Sequence, residues 1–369
     1  IVGAKIAEIL APRLGLKQEE CEIVIWLVKN HLLMSDVAQK RDITDSRTVR
    51  DFANQVTSAT KLKLLTVLTV CDIRGVGPNA WNNWKAVLLR ELYKQTLSTL
   101  NEGSMTHSRP EKVKDAKRKV ESKLSHWNRL DLAKELKRHY ESYWLGLDME
   151  TQIIFANLLH GIKGEILKLK IDTDIARDAN SVCCVMEDHP GIFARLSGAL
   201  ALLGANVVDA RTYTTRDGFA TAVFWIQEQN GLPFEDSRLA KLEQVIKKSL
   251  YGEVITQKEL DEKGKFKKTE REFKVPTTIT FDNLGSDIYT IIEIDTRDRI
   301  GLIHDLTSTL YKNNISIFTA IVATYGEQAV DTFYVKDLFG LKIYNKTKQE
   351  KIIVKLRESI ELGSEKAMQ

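Results

Sequence analysis

A chain of 369 residues with 43% hydrophobic and 28% charged residues carries enough apolar material for proper cores in about two to three domains. Its mean hydropathy of −0.23 reads as soluble, and no stretch approaches the ~18 apolar residues of a membrane helix, so no membrane partner is expected. A formal net charge of +4 is small for this length and does not point to nucleic acid.

The start, Ile1-Val-Gly-Ala-Lys-Ile-Ala-Glu, lacks the basic opening and long apolar core of a signal peptide. It also lacks an initiator Met, so the expectation is a chain that begins inside a longer protein. Residues 1 to about 100 read as helices. The run 23–33 is apolar and long enough for a buried helix, with His31 near its end. Spacing near 3.6 marks a helix over 48–56, and another follows over 61–72. That helix ends before Gly75-Val-Gly77-Pro78, a breaker cluster, after which Asn79-Ala-Trp81-Asn-Asn-Trp84-Lys85 opens a further helix through Tyr93. Trp26, Trp81, Trp84 and Trp225 read as core residues. From about 105 to 166 the pattern is again helical, charged at first and apolar later, and Asp148-Met-Glu-Thr151 resembles a helix start. Basic residues gather between 112 and 138 with Asp115, Glu121, Asp131 and Glu135 interleaved. They read as a solvated helix face, or as a contact surface for an acidic partner or another domain.

From about 180 the period changes. A strand-like run covers 182–186, and Gly191 opens a helix with Ile192, Leu196, Leu200 and Leu203 on one face. Strands over 205–214 and 219–226 are joined around Asp217-Gly218, a hairpin turn. A helix follows over 239–250. With a fourth strand near Val254 this is βαββαβ order, a ferredoxin-like sandwich. The four Cys (Cys21, Cys71, Cys183, Cys184) show no metal spacing, and the adjacent Cys183 and Cys184 read as buried thiols in a reducing, cytoplasmic setting. Residues 257–274 are highly charged and read as a linker or a hairpin extension. The order then repeats: strand 289–294, helix 301–312, strands 315–324 and 329–337, and a final helix over 348–362. Asp188-His-Pro-Gly191-Ile-Phe-Ala-Arg-Leu196 returns 110 residues later as Asp298-Arg-Ile-Gly301-Leu-Ile-His-Asp-Leu306. A self-similar period marks a repeated structural unit. The expected class is α+β, with an all-helical N-terminal part and two ferredoxin-like βαββαβ modules. The expected segments are 1–100, a helical connector 101–178, and modules over 179–256 and 285–369.

The doubled module resembles a tandem pair of ACT domains, small-molecule sensors that commonly bind amino acids. The helical part resembles the metal-dependent HD phosphohydrolases. Four blocks narrow this further: Asn30-His31-Leu32-Leu33-Met34-Ser35, Ala38-Gln39-Lys40-Arg41-Asp42-Ile43, Leu68-Thr69-Val70-Cys71-Asp72-Ile73, and Gly77-Pro78-Asn-Ala-Trp81-Asn82-Asn-Trp84-Lys85. Together they are similar to the bifunctional uridylyltransferase/uridylyl-removing enzymes of the PII nitrogen-signalling protein, over nearly the whole chain. The resemblance implies a nucleotidyltransferase domain that uses UTP to uridylylate PII, an HD domain that removes the UMP by hydrolysis, and ACT domains that bind glutamine as effector. In this sequence the nucleotidyltransferase domain and the His-Asp dyad of the HD domain are absent. Asp72 matches the late metal-ligating Asp of that superfamily, and His31 an accessory His. The two form an incomplete set for the Mg²⁺ or Mn²⁺ of the intact enzyme, which wants about six ligands. No tightly bound metal is therefore expected here. As plain residues, His31 reads as a helix-end histidine bonded to a backbone carbonyl. Asp72 reads as a carboxylate near a helix C-terminus, an unfavourable place that adds weight to a ligand role. His304-Asp305, the only His-Asp dipeptide, reads as a decoy on a helix surface.

For the modules, the resemblance directs attention to the strand-to-helix turns. Gly191 and Gly301 allow close backbone approach, and the helix N-terminus suits an α-carboxylate. Asp188 and Asp298 are suited either to an α-ammonium group or to capping the helix. Asn206 reads either as an amide-recognising residue or as a turn residue between helix and strand. Ligands of such paired modules often lie between the two copies. The alternatives are another HD–ACT protein, such as a guanosine-tetraphosphate hydrolase, or an amino-acid-binding module without catalysis.

Overall fold

The computed structural model describes residues 2–77, 80–101, 109–251, 275–325 and 327–368. The chain divides into two compact units, 1–106 and 107–369.

The first unit is helical: α1 (Val2–Arg13), α2 (Gln18–Asn30), α3 (Leu33–Lys40), α4 (Ser46–Val56), α5 (Ala59–Val76) and α6 (Asn83–Asn101). Side-chain caps fix the helix starts. Asp45 accepts from the Arg47 N–H at the start of α4, Ser58 from Lys61 at the start of α5, and Asn82 from Lys85 at the start of α6. The stripe Val49, Phe52, Ala53, Val56 on α4 is buried, and its Phe52 and Val56 join Met34, Leu62, Leu65 and Leu92 in one core. Trp84 belongs to the buried set. Trp26 and Trp81 only edge it, beneath Lys61 and Arg74 respectively. The apolar run 23–33 is broken: α2 ends at Asn30 and α3 begins at Leu33. Pro78 and Asn79 lie outside the described residues.

The second unit begins with α7 (Arg109–Lys123), α8 (Arg129–Arg138), α9 (Glu141–Gly146) and α10 (Met149–Leu159). The first module follows as β1 (Leu167–Asp174), β2 (Ala179–Glu187), α11 (Ile192–Leu202), β3 (Asn206–Thr214), β4 (Phe219–Gln227) and α12 (Asp236–Leu250). The second is β5 (Thr278–Asp282), β6 (Thr290–Arg297), α13 (Leu302–Lys312), β7 (Ile315–Tyr325), β8 (Gln328–Asp337) and α14 (Lys346–Met368). The eight strands form one sheet in the order β1-β2-β4-β3-β7-β8-β6-β5.

Each module is the expected ferredoxin-like sandwich, but its edge strand comes first in the chain. β1 pairs antiparallel along β2, from Leu167↔Met186 to Asp174↔Ala179, and β5 does the same along β6. The place beside β2 that a strand near Val254 would fill is thus taken by a segment assigned from sequence to the connector. Val254 and 257–274 lie outside the described residues. The signal for β1 was in the sequence: Leu167-Lys-Leu-Lys-Ile171 alternates with period two.

The helices α11 to α14 cover one face of the sheet over a continuous core that includes Val182, Cys184, Phe224, Ile292, Ile294 and Phe333. The period of two sends Cys184 into that core and its buried neighbour Cys183 to the opposite face, where α10 packs against β2. Burial pushes both thiols up, Cys184 to about 12, so both stay protonated. The modules join edge to edge through β3 and β7, with Ala210 opposite Ala320. α11 packs on α13 across the same seam. There the Ser197 and Thr307 hydroxyls, equivalent positions 110 residues apart, meet at 2.9 Å. The repeat is therefore expressed in space as an approximate two-fold axis through this contact.

Candidate functional site

In each module the chain turns from strand to helix through a left-handed glycine, Gly191 at φ 91° and Gly301 at φ 84°. An L side chain would be strained there. No side chain caps α11 or α13, so their first-turn N–H groups stay without a side-chain acceptor, the condition under which a helix start holds an anion. The aspartates before each turn do not cap. Asp188 accepts from the Thr214 hydroxyl at 2.7 Å, and Asp298 from Thr324 at 3.5 Å. They differ in setting. Asp188 is exposed, whereas Asp298 is half-buried and its carboxyl is held above the usual range. Burial is the main cause, and the Arg299 N–H and the Thr324 hydroxyl partly offset it.

Asn206 does not join Asp188 and Gly191. It starts β3 and pairs with Gln227, at the far end of the first module from the Glu187↔Phe219 pair beside the turn. The antiparallel register across the seam sets Asp209 against Ile321 and Arg211 against Thr319. Carried along the strands, it runs the start of β3 toward Thr324 and the second module's turn. The candidate residues therefore sort into two places at the seam: Asp188, Gly191 and Thr214 at one, and Asp298, Gly301, Thr324 and the Asn206 end of β3 at the other.

The two places are not alike. The Tyr311 ring stands 3.3 Å from where a Cβ on Gly191 would lie, so α13 closes the first turn. The residue equivalent to Tyr311 in the first module is the small Ala201, and among the described residues beyond its chain neighbours the only atom within 4 Å of a Cβ on Gly301 is the Arg299 Nη1, at 3.7 Å. His304 and Asp305, the decoy pair, lie at the seam and not on a free surface. His304 Nδ1 bonds the Ala194 carbonyl at 2.9 Å, so the ring nitrogen there carries the hydrogen, and Asp305 pairs with Arg299. Sequence reasoning missed Arg299, Tyr311 and Asp331. Asp331 had a signal, an acid inside the mostly apolar run Ala329-Val-Asp-Thr-Phe-Tyr-Val335.

In the first unit His31 is exposed at the C-terminal end of α2, with its Nδ1 on the Val28 carbonyl at 2.9 Å. Asp72 is exposed on α5. Among the described residues no three His, Cys, Asp or Glu side chains come together as a metal site. The two residues are metal donors without a set among the described residues.

The ACT domain family matches residues 183–236, and an ACR9-like, ACT-like domain matches residues 278–363. The second unit carries a tandem pair of ACT domains. The chain is 57% identical over its full length to a bifunctional uridylyltransferase/uridylyl-removing enzyme of Cereibacter sphaeroides, covering 40% of that protein. It is 54% identical to the enzyme of that name from Ruegeria pomeroyi, covering 41%. With the Azospirillum brasilense enzyme the identity is 42% over 98% of this chain and 39% of the relative. By sequence the chain is similar, along nearly its whole length, to the C-terminal part of these enzymes. It spans about 40% of the length of the relatives it matches. No helix among the described residues is long and apolar enough to cross a membrane.

Proposed function

We propose that this chain is the regulatory portion of a uridylyltransferase/uridylyl-removing enzyme. In this reading its ACT pair binds glutamine and sets the balance between uridylylation and hydrolytic deuridylylation of the PII protein in the cytoplasm. The observation that carries the sensing reading is the pair of uncapped, glycine-opened helix starts at the seam between two joined modules. Such a seam offers backbone donors to a carboxylate and half-buried acid to an ammonium group. The relatives' names support the catalytic context. In that context Asp72 and His31 would contribute to a Mg²⁺ or Mn²⁺ site completed by residues outside this chain, and UTP and UMP would be handled by the intact enzyme.

Calorimetric titration with glutamine, with glutamate and leucine as controls, tests the reading. Selective saturable binding of glutamine is expected. Binding stabilises the folded state by mass action, so the melting temperature should rise with glutamine concentration. Absence of binding and of any thermal shift would refute a self-sufficient sensor.

A further inference from the structure

Resting on the sensing reading above, we propose that the second module's turn holds the pair's one amino-acid site, in which Asp331 and Asp298 take the ligand's ammonium group and Arg299, with the first turn of α13, takes its carboxylate.

Asp331 lies on β8, opposite Ile294 of β6 and Val322 of β7. It is 1% exposed and flanked along the strand by the core residues Ala329 and Phe333, so its side chain is on the helix-covered face. Its Oδ1 is buried with no hydrogen-bond partner. Between it and the turn stands the pair Thr296↔Ala329, two small residues. Asp331 and Asp298 are close enough for their charges to repel. A buried acid without a partner is destabilising, and it makes physical sense where a cationic group arrives with the ligand.

Arg299 supplies the opposite charge at the same turn. Its side chain is 5% exposed, held by Asp305 at 2.5 Å, with Nη1 against Gly301 and Nε buried without an acceptor. One glycine turn is thus flanked by an orphan acceptor and an orphan donor, the two complements of an α-amino-acid zwitterion. Among the described residues the first module's turn has neither. Ala222, opposite Cys184, stands where Asp331 stands opposite Ile294, and His189 occupies the position of Arg299 with its Nδ1 on the Pro190 carbonyl. Tyr311 also closes that turn.

The test is calorimetric titration of the full chain with glutamine, in buffers of differing ionisation heat. One site per chain is expected. Burial, and then the Asp298 charge, holds Asp331 well above the carboxylate range when the site is empty. Meeting an ammonium ionises it, so binding releases up to about one proton and tightens as pH rises. Asp331→Asn, nearly isosteric, should weaken binding about tenfold or more and abolish the proton release. Arg299→Gln should weaken binding comparably. In the ligand-free chain Asp331→Asn should raise the melting temperature at neutral pH, because a carboxyl whose folded pKa is raised costs stability as pH rises above its unfolded value. A merely structural Asp331 would give a lower melting temperature instead. Two equivalent sites per chain, or Asp331→Asn binding as tightly and with the same proton release, overturns the proposal while leaving amino-acid sensing intact. No amino-acid binding by the unaltered chain overturns both.

Discussion

Replacing Arg138 by Met should release the α8–α10 segment from the first ACT domain. The Arg138 side chain is 6% exposed and bonds Glu135 at 2.9 Å, itself 3% exposed, and Asp217 of the β3–β4 hairpin at 3.2 Å. Glu135 also receives His139 Nε2 at 2.9 Å. Removing the guanidinium leaves the Glu135 carboxylate buried without its cation, a change that costs about 3–5 kcal/mol. The Asp217 bond adds under about 1 kcal/mol, since that carboxylate is 37% exposed. Met fills much of the vacated volume, so a net loss of about 3–4 kcal/mol is expected. Urea unfolding followed by hydrogen exchange of α8–α10 reads the loss locally. The double variant Glu135→Gln/Arg138→Met should recover most of it, because no charge is then buried and Gln still accepts from His139. A loss below about 1 kcal/mol for the single variant, or a double variant as damaged as the single, would refute the assignment of a charge-dependent latch.

Gly146→Ala should act at the same junction: a Cβ there would lie 2.0 Å from the Tyr213 Oη and 3.1 Å from its Cζ, so the ring must move. A destabilisation of about 1–3 kcal/mol is expected, and an unchanged melting temperature would contradict it. For the seam, a double-mutant cycle of Ser197→Ala and Thr307→Ala should give a coupling of about 0.5–1 kcal/mol from the buried 2.9 Å hydroxyl contact, where independent sites would give none. His139 is held below the usual histidine range mainly by burial, against the raising effect of Glu135. The unfolded chain therefore takes up its proton first, and stability should be full above pH ~6.5 and fall as pH drops toward the folded-state value. His139→Gln should flatten that part of the pH profile.

The periodic elements of both ACT domains could be read from the sequence because their apolar spacing is unambiguous. The 110-residue repeat puts Ser197 and Thr307, one residue past the repeated motif, at equivalent positions, and in the structure the two touch. Two things were not legible. The edge strands β1 and β5 carry the period of two, but β5 is short and β1 follows a long helical stretch, so local pattern alone assigned β1 to the connector. The site was only half legible. Asp298 and Gly301 stand out as a motif, but the distance of Asn206 from Asp188 follows from strand direction, which no local spacing encodes. Its approach to the other module follows from the β3–β7 register. Likewise, nothing in the sequence says that Arg299 folds back along α14, where Gly363 leaves room for its guanidinium.

A duplicated module joined about a two-fold axis starts with two identical sites, and this pair has diverged at the positions that face the turns. Tyr311 replaces the small Ala201 type on one side, and Asp331 replaces the Ala222 type on the other. Both changes lie in the second repeat, yet they act on different turns, because α13 closes its neighbour's turn while β8 underlies its own. A ligand at the second turn would press on α13, which reaches across to Gly191 through Tyr311 and to Ala194 through His304. The first module in turn holds the α8–α10 segment through Asp217, Arg211 and Tyr213. The contacts between the second turn and α8–α10 are therefore continuous. Hydrogen exchange decides whether they transmit a signal: glutamine at the concentration that half-saturates the unaltered chain should change protection in α8–α10 of that chain, and far less in Asp331→Asn at the same concentration. Equal changes in both would show that Asp331 has no part in the coupling.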